Sequence, residues 1–131
     1  GSNDDDHWLS IISHIPIGFK ATGIYLGGFG TGITNEISKY TVEQRDLSNY
    51  SPASIRTLLS NERVWNTEHS IDSQVASDTH YISITINEWC GVTHAEAMHF
   101  VGGYIRITPV LTPERIAAGL DETNILSRSN D

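Results

Sequence analysis

Apolar and polar residues change period several times along this chain, and each change marks an element. Residues 80–88, HYISITINE, alternate strictly, with Ile82, Ile84 and Ile86 on one side and Ser83, Thr85 and Asn87 on the other. That period of two is the pattern of a half-buried strand, and β-branched isoleucines suit its pleated face. The run IGFKATGIYL (17–26) predicts another strand, leading into the glycine-rich GGFGTG. EISKYTVE (36–43) and YIRITPV (104–110) predict two more, with Pro109 marking the end or an edge of the second.

Other stretches carry helical spacing. Trp8, Ile11, Ile12 and Ile15 follow Asp4-Asp5-Asp6, whose charges favour a helix N-terminus, and Pro16 bounds the run. Ser51 as N-cap and Pro52 at the first helical position predict a helix over 51–60 with Ile55, Leu58 and Leu59 inward. Thr93 and Glu96 have capping-box spacing, which predicts a short helix from about residue 94 to Gly102-Gly103, with Met98 and Phe100 packing inward. Thr112 and Pro113 predict a last short helix carrying Ile116, Ala117 and Leu120, and SIDSQVASDT (70–79) reads as polar linking sequence. Strands and helices mix without strict βαβ alternation. The expected class is therefore α+β: a mixed or antiparallel central sheet of about five strands with three to four short helices.

Composition narrows the function classes. The 131 residues suit one domain over 1–131, with residues 1–6 and 127–131 expected to be flexible. Gly1-Ser2 without an initiator Met reads as a remnant ahead of a piece of a longer or processed protein. Sixteen acidic against eight basic groups give a formal charge of −8, and only Lys20 and Lys39 are lysines, so no basic patch for nucleic acid can be assembled. A basic protein partner is the easier inference. No apolar run is long enough for a membrane helix, and one cysteine excludes an internal disulfide.

The only cysteine, Cys90, sits with His94, Glu96 and His99 in NEWCGVTHAEAMHF (87–100). His94-Ala-Glu96 resembles the start of the zinc deaminase motif, but no Pro-Cys-x-x-Cys follows. Cys90, His94 and His99 do not form a tetrahedral ligand set, so no metal is expected. Cys90 reads as structural. A cysteine-dependent hydrolase or deamidase would rest on that residue alone. GGFGTG (27–32) lacks the third glycine of a dinucleotide loop and the Lys-Ser/Thr of a Walker loop, and Gly23-Ile24-Tyr25 lacks the second half of the nuclease motif it is similar to.

Taken in chain order, several segments resemble the ADP-ribosyltransferase toxins. That family has a strand bearing an arginine, an apolar-aromatic-x-x-Gly-Phe segment, a strand reading aromatic-apolar-Ser-Thr-Ser, a helix, a Gly-Tyr-Ile-Tyr strand and a Glu-x-Glu turn. Here FKAT (19–22), IYLGGF (24–29), YISIT (81–85), GYIRI (103–107) and Glu122-Thr-Asn124 stand in those places, about half the chain. Lys20 replaces the arginine, Ile84 interrupts the Ser-Thr-Ser, and Asn124 takes the position of the catalytic glutamate. The resemblance implies an NAD-binding domain acting on a protein acceptor, with reduced catalytic competence. Glu122 and Ser83 would be its catalytic residues, and Lys20, Thr22, Gly28, Phe29 and Thr85 would hold NAD. In the family the carboxylate stabilises the charge that develops as nicotinamide leaves, which an amide at 124 cannot do. The rival expectation is a non-enzymatic acidic module, such as a toxin's cognate immunity factor, binding a basic protein through acids such as Asp46, Glu62, Glu68 and Asp72.

Overall fold

The computed structural model describes residues 6–48, 53–89 and 98–112. Its elements are β1 (Asp6–Ser13), β2 (Phe19–Phe29), the single helical turn α1 (Thr31–Thr34), β3 (Lys39–Asp46), β4 (Ala53–Glu62), β5 (Glu68–Ser70), β6 (His80–Trp89) and β7 (His99–Pro109). They form two antiparallel sheets, a four-stranded one in the order β1-β6-β3-β4 and a three-stranded one in the order β5-β2-β7.

The core lies between the sheets, as the period-two runs demand. Ile82, Ile84 and Ile86 of β6 are 0%, 4% and 1% exposed, and they pack with Tyr40 and Val42 of β3 and with Ala21, Ile24 and Leu26 of β2. β6 is an internal strand with β1 on one side and β3 on the other, so the expected core strand is central. Each such side chain contributes roughly 1.5–3 kcal/mol by leaving water. Trp65 closes one end of the core; its indole N–H donates to the Ser38 carbonyl at 3.0 Å and its ring meets Tyr40 edge-on at 4.9 Å. Burial pushes the Tyr40 phenol well above its ordinary range, with the Glu62 charge adding to the shift.

The architecture is mostly β, which overturns the expected α+β class with three to four helices. The run carrying Trp8, Ile11 and Ile12 is a strand: Leu9 and Ile11 pair with Ile86 and Ile84 on the inner face, while Trp8 and Ile12 stand outward. Apolar residues on both faces of a short strand mimic the i, i+3, i+4 spacing of a helix. Residues 53–62 are also a strand. There Val42 pairs with Leu59 and Glu43 with Thr57, so Leu58 is an extra residue, and both leucines pack on the core from a bulge. That bulge produces the adjacent inward pair that reads as helical. Of the helix expected from residue 94, positions 99–101 belong to β7 and residues 94–97 lie outside the described residues, as does the helix expected after Thr112.

The stretch read as linking sequence is built into the core. Ile71, Ser73 and Ala76 are buried, and the amides of Ile71, Ser73 and Ala76 donate to the carbonyls of Thr22, Ala21 and Phe19. The buried Gln44 amide holds the same segment. Its Oε1 accepts from the Gln74 amide at 2.8 Å and its Nε2 donates to the Gln74 carbonyl at 3.2 Å. A buried amide so satisfied is compatible with a packed core, whereas an unsatisfied one would not be.

Candidate functional site

The richest arrangement of chemistry among the described residues lies on the outer face of β5-β2-β7. Ala21, Ile24 and Leu26 point into the core, so Lys20 and Tyr25 point out. Thr22 is an extra residue opposite β7, between the pairs Ala21/Ile107 and Gly23/Arg106. On β7, Ile105 faces the core while Tyr104 and Arg106 face outward. The result is an aromatic centre with a polar border.

Tyr25 and Tyr104 are cross-strand partners whose rings stack at 5.3 Å and 3°. Glu68, on the far side of β2, reaches across to β7. It accepts from the Tyr104 hydroxyl at 2.8 Å and from Arg106 Nη2 at 2.7 Å, with Arg106 Nε at 3.1 and 3.2 Å from its two oxygens. Gly23 makes this bridge possible. A β-carbon there would stand 3.0 Å from Glu68 Oε2 and 3.3 Å from Arg106 Cβ, so any side chain at 23 would intrude between the partners. The Arg106 hydrogen bonds, then that from Tyr104, hold the Glu68 carboxyl below its ordinary value. The same contacts with Glu68 raise the Tyr104 phenol and the Arg106 guanidinium. The Arg106 guanidinium also lies 6.0 Å from the centre of the Tyr104 ring.

Toward one end of the face, Val101 is 67% exposed and sits beside the Gly27 position next to Tyr25. Phe29, 59% exposed, stacks on His99 at 4.9 Å. Toward the other end, Thr22 Oγ1 is 3.0 Å from Thr108 Oγ1, and Lys20 is paired with Asp72, which also meets Arg56 at 3.4 Å. The hydrogen bond from Lys20, then its charge, keeps the Asp72 carboxyl low.

The residues expected to hold NAD divide between two surfaces. Lys20, Thr22 and Phe29 lie on the strand just described, and the Gly28 amide and carbonyl are both taken by the Asn66 side chain, at 3.1 and 2.9 Å. A β-carbon at Gly28 would stand 2.8 Å from Ile33 Cδ1, so this glycine permits close packing of α1. Ser83 and Thr85 alternate with the buried isoleucines and therefore face outward from the four-stranded sheet, beside Ile12 and Ser10. The sandwich thickness separates them from Lys20. Glu122, Asn124, Cys90, His94 and Glu96 lie outside the described residues.

The four acids named for a basic partner are dispersed and engaged. Asp46 ends β3, accepts from the Ser48 amide at 2.8 Å and lies 3.8 Å from His80; the Ser48 amide bond is the main reason its carboxyl is lowered. Glu62 ends β4 at the opposite end of that pair of strands and accepts from the Arg63 and Val64 amides, both at 3.0 Å. Glu68 and Asp72 are the two already described. Tyr25, Tyr104 and Arg106 escaped the sequence reading. The alternation of Tyr104 and Arg106 with Ile105 and Ile107 is visible in the chain, but their meeting with Tyr25 and Glu68 depends on a long-range β2–β7 pairing.

A cleft of about 150 Å³ opens between the sheets, lined by Ile11, Leu26, Ile84, Phe100 and Ile105. A void of that volume suits about one phenyl ring. Among the described residues no group of histidine, cysteine and acidic side chains has the geometry to hold a metal ion, and no helix is long and apolar enough to cross a membrane. Compared with protein-family models, with curated proteins and with solved structures, the chain matches none.

Proposed function

We propose that this protein is a non-catalytic recognition module that binds a protein partner through the outer face of β5-β2-β7. The observation carrying this reading is the bridge of Glu68, Tyr104 and Arg106 beside the stacked Tyr25, held rigid over Gly23 on an open sheet. Its composition is that of a protein interface: tyrosine and arginine at the centre, exposed Phe29 and Val101 alongside, and a charged border of Lys20 and Asp72. Side chains already locked by their neighbours lose little freedom on binding. The rings of Tyr25 and Tyr104 cover one another, which suits burial under a partner better than stacking on a sugar. The net charge of −8 favours a basic partner by steering. Seven of the sixteen acids, but only Arg115 and Arg128 among the bases, lie outside the described residues.

The transferase reading keeps one favourable feature, the shared face of Lys20, Thr22 and Phe29. Against it, Ser83 and Thr85 are on the other sheet, and the Lys20 ammonium is engaged by Asp72. One experiment separates the two. Proteins captured on the immobilised chain are identified, purified and titrated against wild type and a Tyr25→Ala/Tyr104→Ala variant, beside a calorimetric titration with NAD. The expected result is a purified partner whose affinity falls about 30-fold or more in the variant, as loss of a hot spot of about 2 kcal/mol requires, with no heat from millimolar NAD. Equal affinity for both proteins would sink the proposal, and saturable NAD heat lost in Lys20→Ala would restore the transferase.

A further inference from the structure

We infer that β1 pairs with β1 of a second copy of this chain, joining two four-stranded sheets into one continuous sheet. The four edge strands of the sandwich differ in how well they are protected. β5 is three residues long. β4 has three register irregularities against β3 and carries Arg56 and Glu62. β7 is bulged at Val101, between the pairs Gly27/Gly102 and Gly28/Phe100, and carries Arg106. Bulges, short length and charge are the usual means by which an edge avoids pairing.

β1 is neither short nor bulged, and its only charged residue, Asp6, stands at its very start. Its eight residues pair with β6 without a register shift, and from Trp8 to Ser13 it holds neither a charge nor a proline. Its other edge is unpaired among the described residues. Trp8 and Ile12 on its outer face are each 63% exposed, and Leu9 is 44% exposed. A regular, apolar, unprotected edge is a template for another strand.

The pattern of β1 selects that strand. Continuing the sheet with the core on one side requires outward residues to meet outward residues, so an antiparallel pair of identical strands must have its two-fold axis at a residue. With the axis at Ser10, Trp8 stands opposite Ile12 of the second copy and Leu9 opposite its Ile11. Every exposed large apolar side chain on β1 then gains an apolar partner, and aromatic–β-branched pairs are favourable across strands. An axis at Leu9 or Ile11 leaves Trp8 opposite Ser10 or His14. Ile11 also lines the inter-sheet cleft, so the second copy continues the cleft wall. An eight-residue edge on each side buries less than the roughly 1,200–2,000 Å² of a typical stable interface, so association at micromolar concentrations is expected.

Sedimentation of the full chain from about 1 µM to about 1 mM tests this. The expected result is a concentration-dependent dimer. Trp8→Lys and Ile12→Lys, both at exposed positions, should raise its dissociation constant at least tenfold while leaving the circular dichroism unchanged. In a Cys90→Ser background, Ser10→Cys should cross-link on oxidation well ahead of Ser13→Cys, because the axis places only residue 10 opposite itself. A monomer throughout the range would overturn the inference, whether because the edge is covered by the chain's own remaining residues or because it does not associate. A dimer indifferent to both lysine variants, or one that cross-links preferentially through residue 13, would overturn it equally.

Discussion

The two outer faces of this sandwich come from strands with the same alternation, yet they are finished differently. On the three-stranded sheet, the outward residues make contacts with each other: Tyr25 with Tyr104, Glu68 with Arg106, Thr22 with Thr108, Lys20 with Asp72. On the four-stranded sheet, Ser83 and Thr85 of β6 lie beside Ile12 and Ser10, and the edge carries bare Trp8 and Ile12. The first face is pre-organised to meet a different molecule, and the second ends in a strand suited to its own copy. The difference arises from one glycine and one bulge. Gly23 removes the side chain that would keep Glu68 from Arg106, and the extra residue Thr22 turns Lys20 and Thr22 outward together with Gly23.

The largest effect is expected where the faces share one support. Ile84→Ala removes side-chain volume from the core and from the wall of the inter-sheet cleft, and should destabilise the fold by about 2–4 kcal/mol in chemical denaturation. A midpoint close to wild type would mean that the cleft collapses to fill the void.

A smaller effect distinguishes the pre-organised face by pH. The folded-state value of Glu68 lies below the ordinary 4.5. Its charge therefore stabilises the fold above the unfolded value, and that stabilisation is lost as pH falls through the folded value. Asp72 and Asp46, lowered from 3.8, act in the same direction over a more acidic window. Glu68→Gln should flatten this part of the acid limb of the stability curve. Gly23→Ala should raise the Glu68 carboxyl toward 4.5 in an NMR titration, because the new methyl displaces the carboxylate from Arg106. An unmoved carboxyl would show that the bridge tolerates the methyl.

The smallest effect belongs to the other face. Ser83→Ala and Thr85→Val should change stability by no more than about 0.5 kcal/mol and leave the Glu68 titration untouched. A loss of partner binding in either variant would show that both faces take part.

Much of this was legible in the chain. The run from Ile82 to Ile86 declared its buried face without help, because alternation on an internal strand has one solution. Trp8 to Ile15 did not, since an apolar residue on each face of an edge strand produces helical spacing, and periodicity alone does not separate the two. SIDSQVASDT looked like linker because its polar side chains give no sign of the hydrogen bonds that Gln44 and Ser73 make with distant backbone.

The sequence by itself determined the buried face of the run from Ile82 to Ile86, that the chain's balance is acidic, and that one cysteine forbids an internal disulfide. Tertiary structure alone decided that Lys20 and Ser83 stand on different sheets, that Glu68 meets Arg106, and that β1 is left at an edge. Those outcomes depend on strand order, which is set by pairings between residues far apart in the chain, where local pattern carries no information about partners.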